Sequence, residues 1–247
     1  METSIAARLL DLNHQFYQTF GRDFSATRGR LQPGVRQVLE TLRGDENILD
    51  LGCGNGELAR ALARRGHRGA YTGLDFSLPL LEEAGRALPD RFRFVEADLT
   101  QLPVISDQLS VNNDRSLITG HWSLITAFAV LHHIPSRDLR LRILDKVHSL
   151  LAEGGRFIHS EWQFLNSPRL REHIQDWGQI GLAAADVEIN DYLLDWRRGG
   201  RGLRYVHHFD EAELNALATA SRFKVRETFH SDGEGGKLGL YQIWEVA

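Results

Sequence analysis

Apolar residues at Ile5, Leu9, Leu12, Phe16 and Phe20 recur at close to helical spacing, which predicts an opening helix that Gly21 terminates. Val35, Val38, Leu39 and Leu42 give a second apolar face, entered through Pro33 and closed by Gly44. Beyond that point the pattern alternates. Short apolar runs at 48–51, 70–74, 92–97, 122–128 and 156–160 read as strands, and the amphipathic stretches 58–63, 79–88 and 139–151 between them read as crossover helices. Such a series predicts a parallel sheet with helices on its faces. The order weakens in two places. Residues 102–120 are polar without a sustained period and read as an inserted loop, and 168–204 reads as a helix through Leu170, Ile174 and Trp177 followed by an irregular aromatic and charged stretch. Asp210 then caps a helix through Leu214 and Leu217, and strands at 223–228 and 240–246 flank the turn Asp-Gly-Glu-Gly-Gly.

Composition narrows the class. A chain of 247 residues suits one α/β domain, and its 42% hydrophobic and 25% charged content is that of an ordinary globular protein. No apolar run approaches the roughly 20 residues that span a bilayer, and the first residues lack the pattern of a signal peptide. Cys53 is the single cysteine, so no internal disulfide forms and a cytoplasmic location is expected. The net charge of −4 does not advertise a nucleic-acid partner, although Arg197, Arg198 and Arg201 form a local basic run that reads either as a solvated loop or as a phosphate contact.

Candidate chemistry begins where the first strand ends. Asp50-Leu-Gly-Cys-Gly-Asn-Gly56 packs three glycines into five positions ahead of a helix start, the arrangement that brings a ligand against bare main chain and free helical N–H groups. Asp50 adds a carboxylate that a phosphate site does not want. A ligand with both an ammonium and a carboxylate fits better. Cys53 reads as a small neutral filler of this turn. The next two strands close on Asp75, placed to accept both hydroxyls of a ribose, and on Asp98.

These strand ends resemble the cofactor site of the Rossmann-like S-adenosylmethionine-dependent methyltransferases. The resemblance implies a doubly wound, mostly parallel seven-stranded sheet with a C-terminal antiparallel hairpin, and S-adenosyl-L-methionine as cofactor. It implies that Asp50, Gly52, Cys53, Gly54 and Asn55 hold the methionine part, Asp75 the ribose, and Asp98 with Leu99 the adenine edge, with further cofactor contacts at Tyr17, Arg28, Phe76, Ser77 and Phe128. It also implies an organisation of one domain, residues 1–247. Residues 1–44 would form a helical lid or cap, 45–161 the cofactor core, 162–209 a substrate-side insertion, and 210–247 the last helix and hairpin.

Phe24-Ser-Ala-Thr-Arg28, Ala129-Val-Leu-His-His133, Trp162 and Arg204-Tyr-Val-His-His-Phe209 are similar to a narrower group, the tRNA methyltransferases that esterify carboxymethyluridine at the wobble position. The likeness implies a tRNA acceptor and a small activating protein subunit; the sequence departs from it in 104–120, at Ser123 and at Val206. A carboxylate acceptor is already ionised at neutral pH and needs donors, for which Arg28, His132, His133 and Arg204 are candidates. An alcohol or amine acceptor would instead ask a histidine, His133 first, to take a proton. Structural hydrogen bonds are the plainer reading for His132, His207 and His208. The histidines stand in adjacent pairs without a cysteine cluster, so no metal site is expected. A small-molecule O- or N-methyltransferase and a non-catalytic cofactor-binding regulator are the competing readings.

Overall fold

The computed structural model describes residues 1–26, 29–102 and 121–247, the side chain of Phe24 excepted. In chain order the elements are α1 (Thr3–Ala26), α2 (Pro33–Glu40), β1 (Ile48–Leu51), α3 (Glu57–Arg64), β2 (Tyr71–Asp75), α4 (Leu78–Ala84) and β3 (Phe92–Glu96). After these come β4 (Trp122–Phe128), α5 (Arg137–Leu150), β5 (Leu151–Trp162), the single turn α6 (Pro168–Arg171), β6 (Ile174–Gln175), β7 (Asp191–Trp196), β8 (Gly202–His207), α7 (Glu211–Ala220), β9 (Phe223–Ser231) and β10 (Gly239–Val246). Seven strands form one sheet in the order β3-β2-β1-β4-β5-β10-β9. The first five pair in parallel, and β10 joins antiparallel to both β5 and β9. The expected doubly wound sheet with its terminal hairpin is therefore present.

The reason lies in burial. Every residue of β1 and β2 is buried, as parallel strands covered on both faces must be. Two apolar layers flank the sheet: one joins α5 and α7 to Leu49, Leu51 and Trp244, the other joins α2 and α3 to Ile48, Tyr71 and Ile243. The order of strands reverses beside β1, where β2 and β4 leave on opposite sides, and ligands of open α/β sheets bind at such a point.

Three expectations are corrected. Gly21 does not stop the first helix, which runs on to Ala26, because Gly21 is buried against Ser77 and Leu80 of the neighbouring α4 segment and the tertiary contact outweighs its poor propensity. The helix through Leu170, Ile174 and Trp177 is one turn long. Ile174 instead pairs with Leu194 as a strand. The stretch read as irregular is a second, three-stranded antiparallel sheet, β6-β7-β8, closed over Phe164, Leu194 and Val206. The inserted loop expected at 102–120 lies, from residue 103 onward, outside the described residues.

Candidate active site

The turn after β1 shapes the floor of the site. Gly52 and Gly54 both hold positive φ, 66° and 54°, and a Cβ on Gly52 would lie 2.6 Å from Cγ2 of Val130, so this main chain passes directly against the loop after β4. A Cβ on Gly54 would meet nothing, because it faces open space. That space is a cavity of about 460 Å³, of a size that suits a small organic ligand.

Of the acids that border it, Asp50, Asp75 and Asp98 are each held differently. Asp50, at the end of β1, accepts hydrogen bonds from the Tyr71 hydroxyl at 2.6 Å and the Thr126 hydroxyl at 2.7 Å, yet burial dominates and pushes its carboxyl up to about 6. Asp75, at the end of β2, accepts from the main-chain N–H of Gly54 at 2.8 Å and of Ser77 at 2.9 Å; burial raises its pKa as well. A carboxylate offers about four lone-pair sites, so these main-chain donors do not exhaust it. Asp98 caps the short turn Leu99–Gln101 through Thr100 and also takes the Gln101 amide at 3.1 Å.

Of the residues expected at the cofactor, Tyr17, Asp50, Gly52, Cys53, Gly54, Asn55, Asp75, Phe76, Asp98, Leu99 and Phe128 all line this one cavity, and His133 joins them. Cys53 is buried there as a neutral thiol, its pKa raised by burial. Ser77 is not on the wall. It is fully buried behind Asp75, with its hydroxyl unpartnered among the described residues. Arg28 lies outside the described residues.

The acceptor candidates separate. His133 sits in the turn Leu131–His133 and meets the Tyr17 hydroxyl through Nε2 at 2.8 Å. Its neighbour His132 turns inward: both its main-chain N–H and its Nδ1 reach Glu161, at 3.1 and 2.9 Å, and Nδ1 of His159 approaches the other oxygen of the same carboxylate at 3.1 Å. Burial pushes His159 down to about 3 and Glu161 well above the carboxylate range. Arg204 packs between aromatic faces, its guanidinium 5.4 Å from the Phe16 ring centroid and 5.0 Å from that of Trp162. Neither His132 nor Arg204 is among the described residues of the cavity wall.

Several wall residues carried no signal in the sequence. Asn13 and His14 come from α1, where they look like the polar face of an amphipathic helix; His14 packs on Phe76 with ring centroids 4.3 Å apart. Ser160 ends the run read as a strand, Glu161 extends β5 past it, and Asp232 and Tyr241 come from the terminal hairpin. Asp210, which is not on this wall, caps α7 as its local pattern predicts and accepts from the Glu213 N–H at 2.7 Å.

Residues 24–228 match the family model described as a methyltransferase domain. The tRNA (carboxymethyluridine(34)-5-O)-methyltransferase of Schizosaccharomyces pombe is 27% identical over 225 residues, 87% of this chain and 89% of that protein. Trans-aconitate 2-methyltransferase of Deinococcus radiodurans is 24% identical over 215 residues, 78% of this chain and 83% of that one. Among solved structures, the DhpI-SAM-HEP complex superposes with a TM-score of 0.64 at 23% identity, covering 96% of this chain and 97% of its own.

Proposed function

The chain belongs to the methyltransferase-domain family and uses S-adenosylmethionine, and from that premise we propose that it transfers the methyl group to a carboxylate oxygen, making a methyl ester. One observation carries this reading. The two relatives named for their substrates act on molecules of very different size, a carboxymethylated tRNA nucleoside and trans-aconitate, that share only a carboxylate as common nucleophile. Methyl transfer to a carboxylate releases no proton. The protein's work is then to align the ionised oxygen with the sulfonium carbon and to exclude water, with no base required.

The cavity supports such work. It runs from Asp75 and Asp98 past Asp50 and Phe128 to Ser160, Trp162 and Tyr241, so one continuous space spans the tips of β1 to β5 and the start of β10. The cofactor would occupy the end with the three acids, and the acceptor the end beyond Phe128. A tRNA bearing carboxymethyluridine is the favoured acceptor, since the likeness at Ala129–His133 and Arg204–Phe209 is to that group, and the exposed Arg197, Arg198 and Arg201 stand together on the β7–β8 turn as a phosphate contact. A small carboxylic acid is the second reading, favoured by the net charge of −4.

Incubation with methyl-labelled cofactor and either substrate tests the proposal. An ester gives label that alkali releases as methanol, whereas an ether or a methylamine keeps it. Alkali-stable label on every accepted substrate would overturn the carboxylate reading.

A further inference from the structure

Both ring nitrogens of His133, on the cavity wall, have partners from elements outside its own loop, and those partners decide which nitrogen carries the hydrogen. Nδ1 lies 3.3 Å from the main-chain carbonyl of Tyr205 on β8. A carbonyl only accepts, so Nδ1 bears the hydrogen in the neutral ring. Nε2 then presents a lone pair, and the Tyr17 hydroxyl of α1 donates to it at 2.8 Å.

The carbonyl that makes this choice is itself held. The Asn13 side chain, 3% exposed, accepts from the Tyr205 N–H at 2.8 Å and donates to the Tyr205 carbonyl at 3.1 Å and the His133 carbonyl at 3.2 Å. Its orientation follows from its partners. An N–H donor demands Oδ1 on one side, and two carbonyls demand Nδ2 on the other. One buried amide therefore ties α1, β8 and the turn after β4 together directly behind His133.

Resting on the methyltransferase reading above, we propose that Asn13 is a positioning residue, which with Tyr17 locks His133 as the Nδ1–H tautomer and so makes the docking of α1 and the setting of the reacting wall a single event. The carboxamide does what no other side chain at that place does. Asp would set a charge against two carbonyl oxygens, and Ala would take away the donor's partner at the Tyr205 N–H and one donor each from the Tyr205 and His133 carbonyls. With its hydrogen committed to Nε2, the Tyr17 oxygen can act toward any further group only as an acceptor, which suits a cation and not a carboxylate.

The test needs no known acceptor. In protein labelled with ¹⁵N-histidine, the wild type should show His133 as one tautomer with the hydrogen on Nδ1, and Asn13→Ala should show a mixture of both. Calorimetry with S-adenosylhomocysteine should find affinity roughly tenfold weaker in Asn13→Ala and in Tyr17→Phe, the scale of one hydrogen bond to a charged group. Tyr17→Phe should keep the Nδ1–H tautomer, since the carbonyl remains. Thermal unfolding of each variant separates a lost fold from a lost position. A folded Asn13→Ala protein with an unmixed Nδ1–H ring and undiminished affinity would overturn the proposal. So would a wild-type ring with its hydrogen on Nε2. If neither tRNA nor trans-aconitate is methylated, the acceptor reading fails while the tautomer result still decides the role of Asn13.

Discussion

Asp50 and Asp191 are both buried carboxylates at strand ends, one in the large sheet and one in the small, and the protein treats them in opposite ways. Asp191 accepts from His207 Nδ1 at 2.6 Å, the Tyr205 hydroxyl at 2.6 Å and the Glu188 N–H at 2.8 Å, while His207 reaches on to Glu213 and Arg140 binds both Glu188 and Glu213. Asp50 receives two neutral hydroxyls and, among the described residues, no ion pair. An acid supplied with its own cation is part of the scaffold. On the proposed function, an acid kept in a cavity without one is the partner of a cation that arrives with a ligand.

The largest test of that contrast is Asp191→Ala. It strands His207, Tyr205 and the Glu188 amide in a buried place, and should cost about 3 to 5 kcal/mol of unfolding free energy with no specific loss of cofactor affinity per folded molecule. Its pH dependence has a definite sign. Burial alone would lower the pKa of His207, but hydrogen bonds to Asp191 and Glu213 outweigh it and raise the value in the folded state. The stabilisation is therefore full below the unfolded value near 6.5 and is lost as pH rises through the folded one. The gap between wild type and variant, followed by chemical denaturation, should narrow toward alkaline pH. A gap that widens there would remove His207 as the charged partner.

The same contrast explains what was readable in the chain. Asp50, the glycines, Asp75 and Asp98 sit at the ends of short apolar runs, and a strand followed by its turn is a pattern that neighbouring residues alone display. The second sheet has no such signature, because Asp191, Asp195 and Arg204 are charged yet buried by partners far along the chain. Asp195, for example, takes His173, 22 residues earlier, at 2.6 Å as well as its near neighbour Arg197, so a strand that is mostly inside reads as a polar loop. Leu170, Ile174 and Trp177 keep helical spacing, but the pairing of Ile174 with Leu194 overrides it. Asn13 was invisible for the same reason: its role lies in contacts with residues 133 and 205, which no local pattern announces.

A second, smaller effect concerns Asp50 itself. Because burial lifts its pKa from 3.8 to about 6, the folded protein holds a proton there that the unfolded chain has lost, so between these values rising pH costs stability through this group. On the proposed function, a ligand ammonium would repay that cost. Affinity for S-adenosylhomocysteine should hold at neutral pH and weaken roughly tenfold per pH unit below about 6, and Asp50→Asn should bind weakly without that slope. Titration calorimetry at two pH values decides it. Equal slopes in wild type and variant would assign the cation's partner elsewhere.

The finest discrimination comes from Tyr71→Phe. Its hydroxyl donates to Asp50 from the neighbouring strand β2, and hydrogen bonds to the ionised form oppose the effect of burial. Removing one oxygen atom leaves the ring stacked on Phe92, with centroids 5.4 Å apart, so packing is preserved while the carboxylate loses a donor. The midpoint of the pH dependence of binding should then move upward by about one unit, with affinity on the alkaline plateau little changed. A waiting acid predicts that shift, because ionising Asp50 is the step the ligand must support. An acid already neutralised within the fold, as Asp191 is, predicts no shift. An unmoved midpoint in a folded Tyr71→Phe protein would therefore place Asp50 with the scaffold.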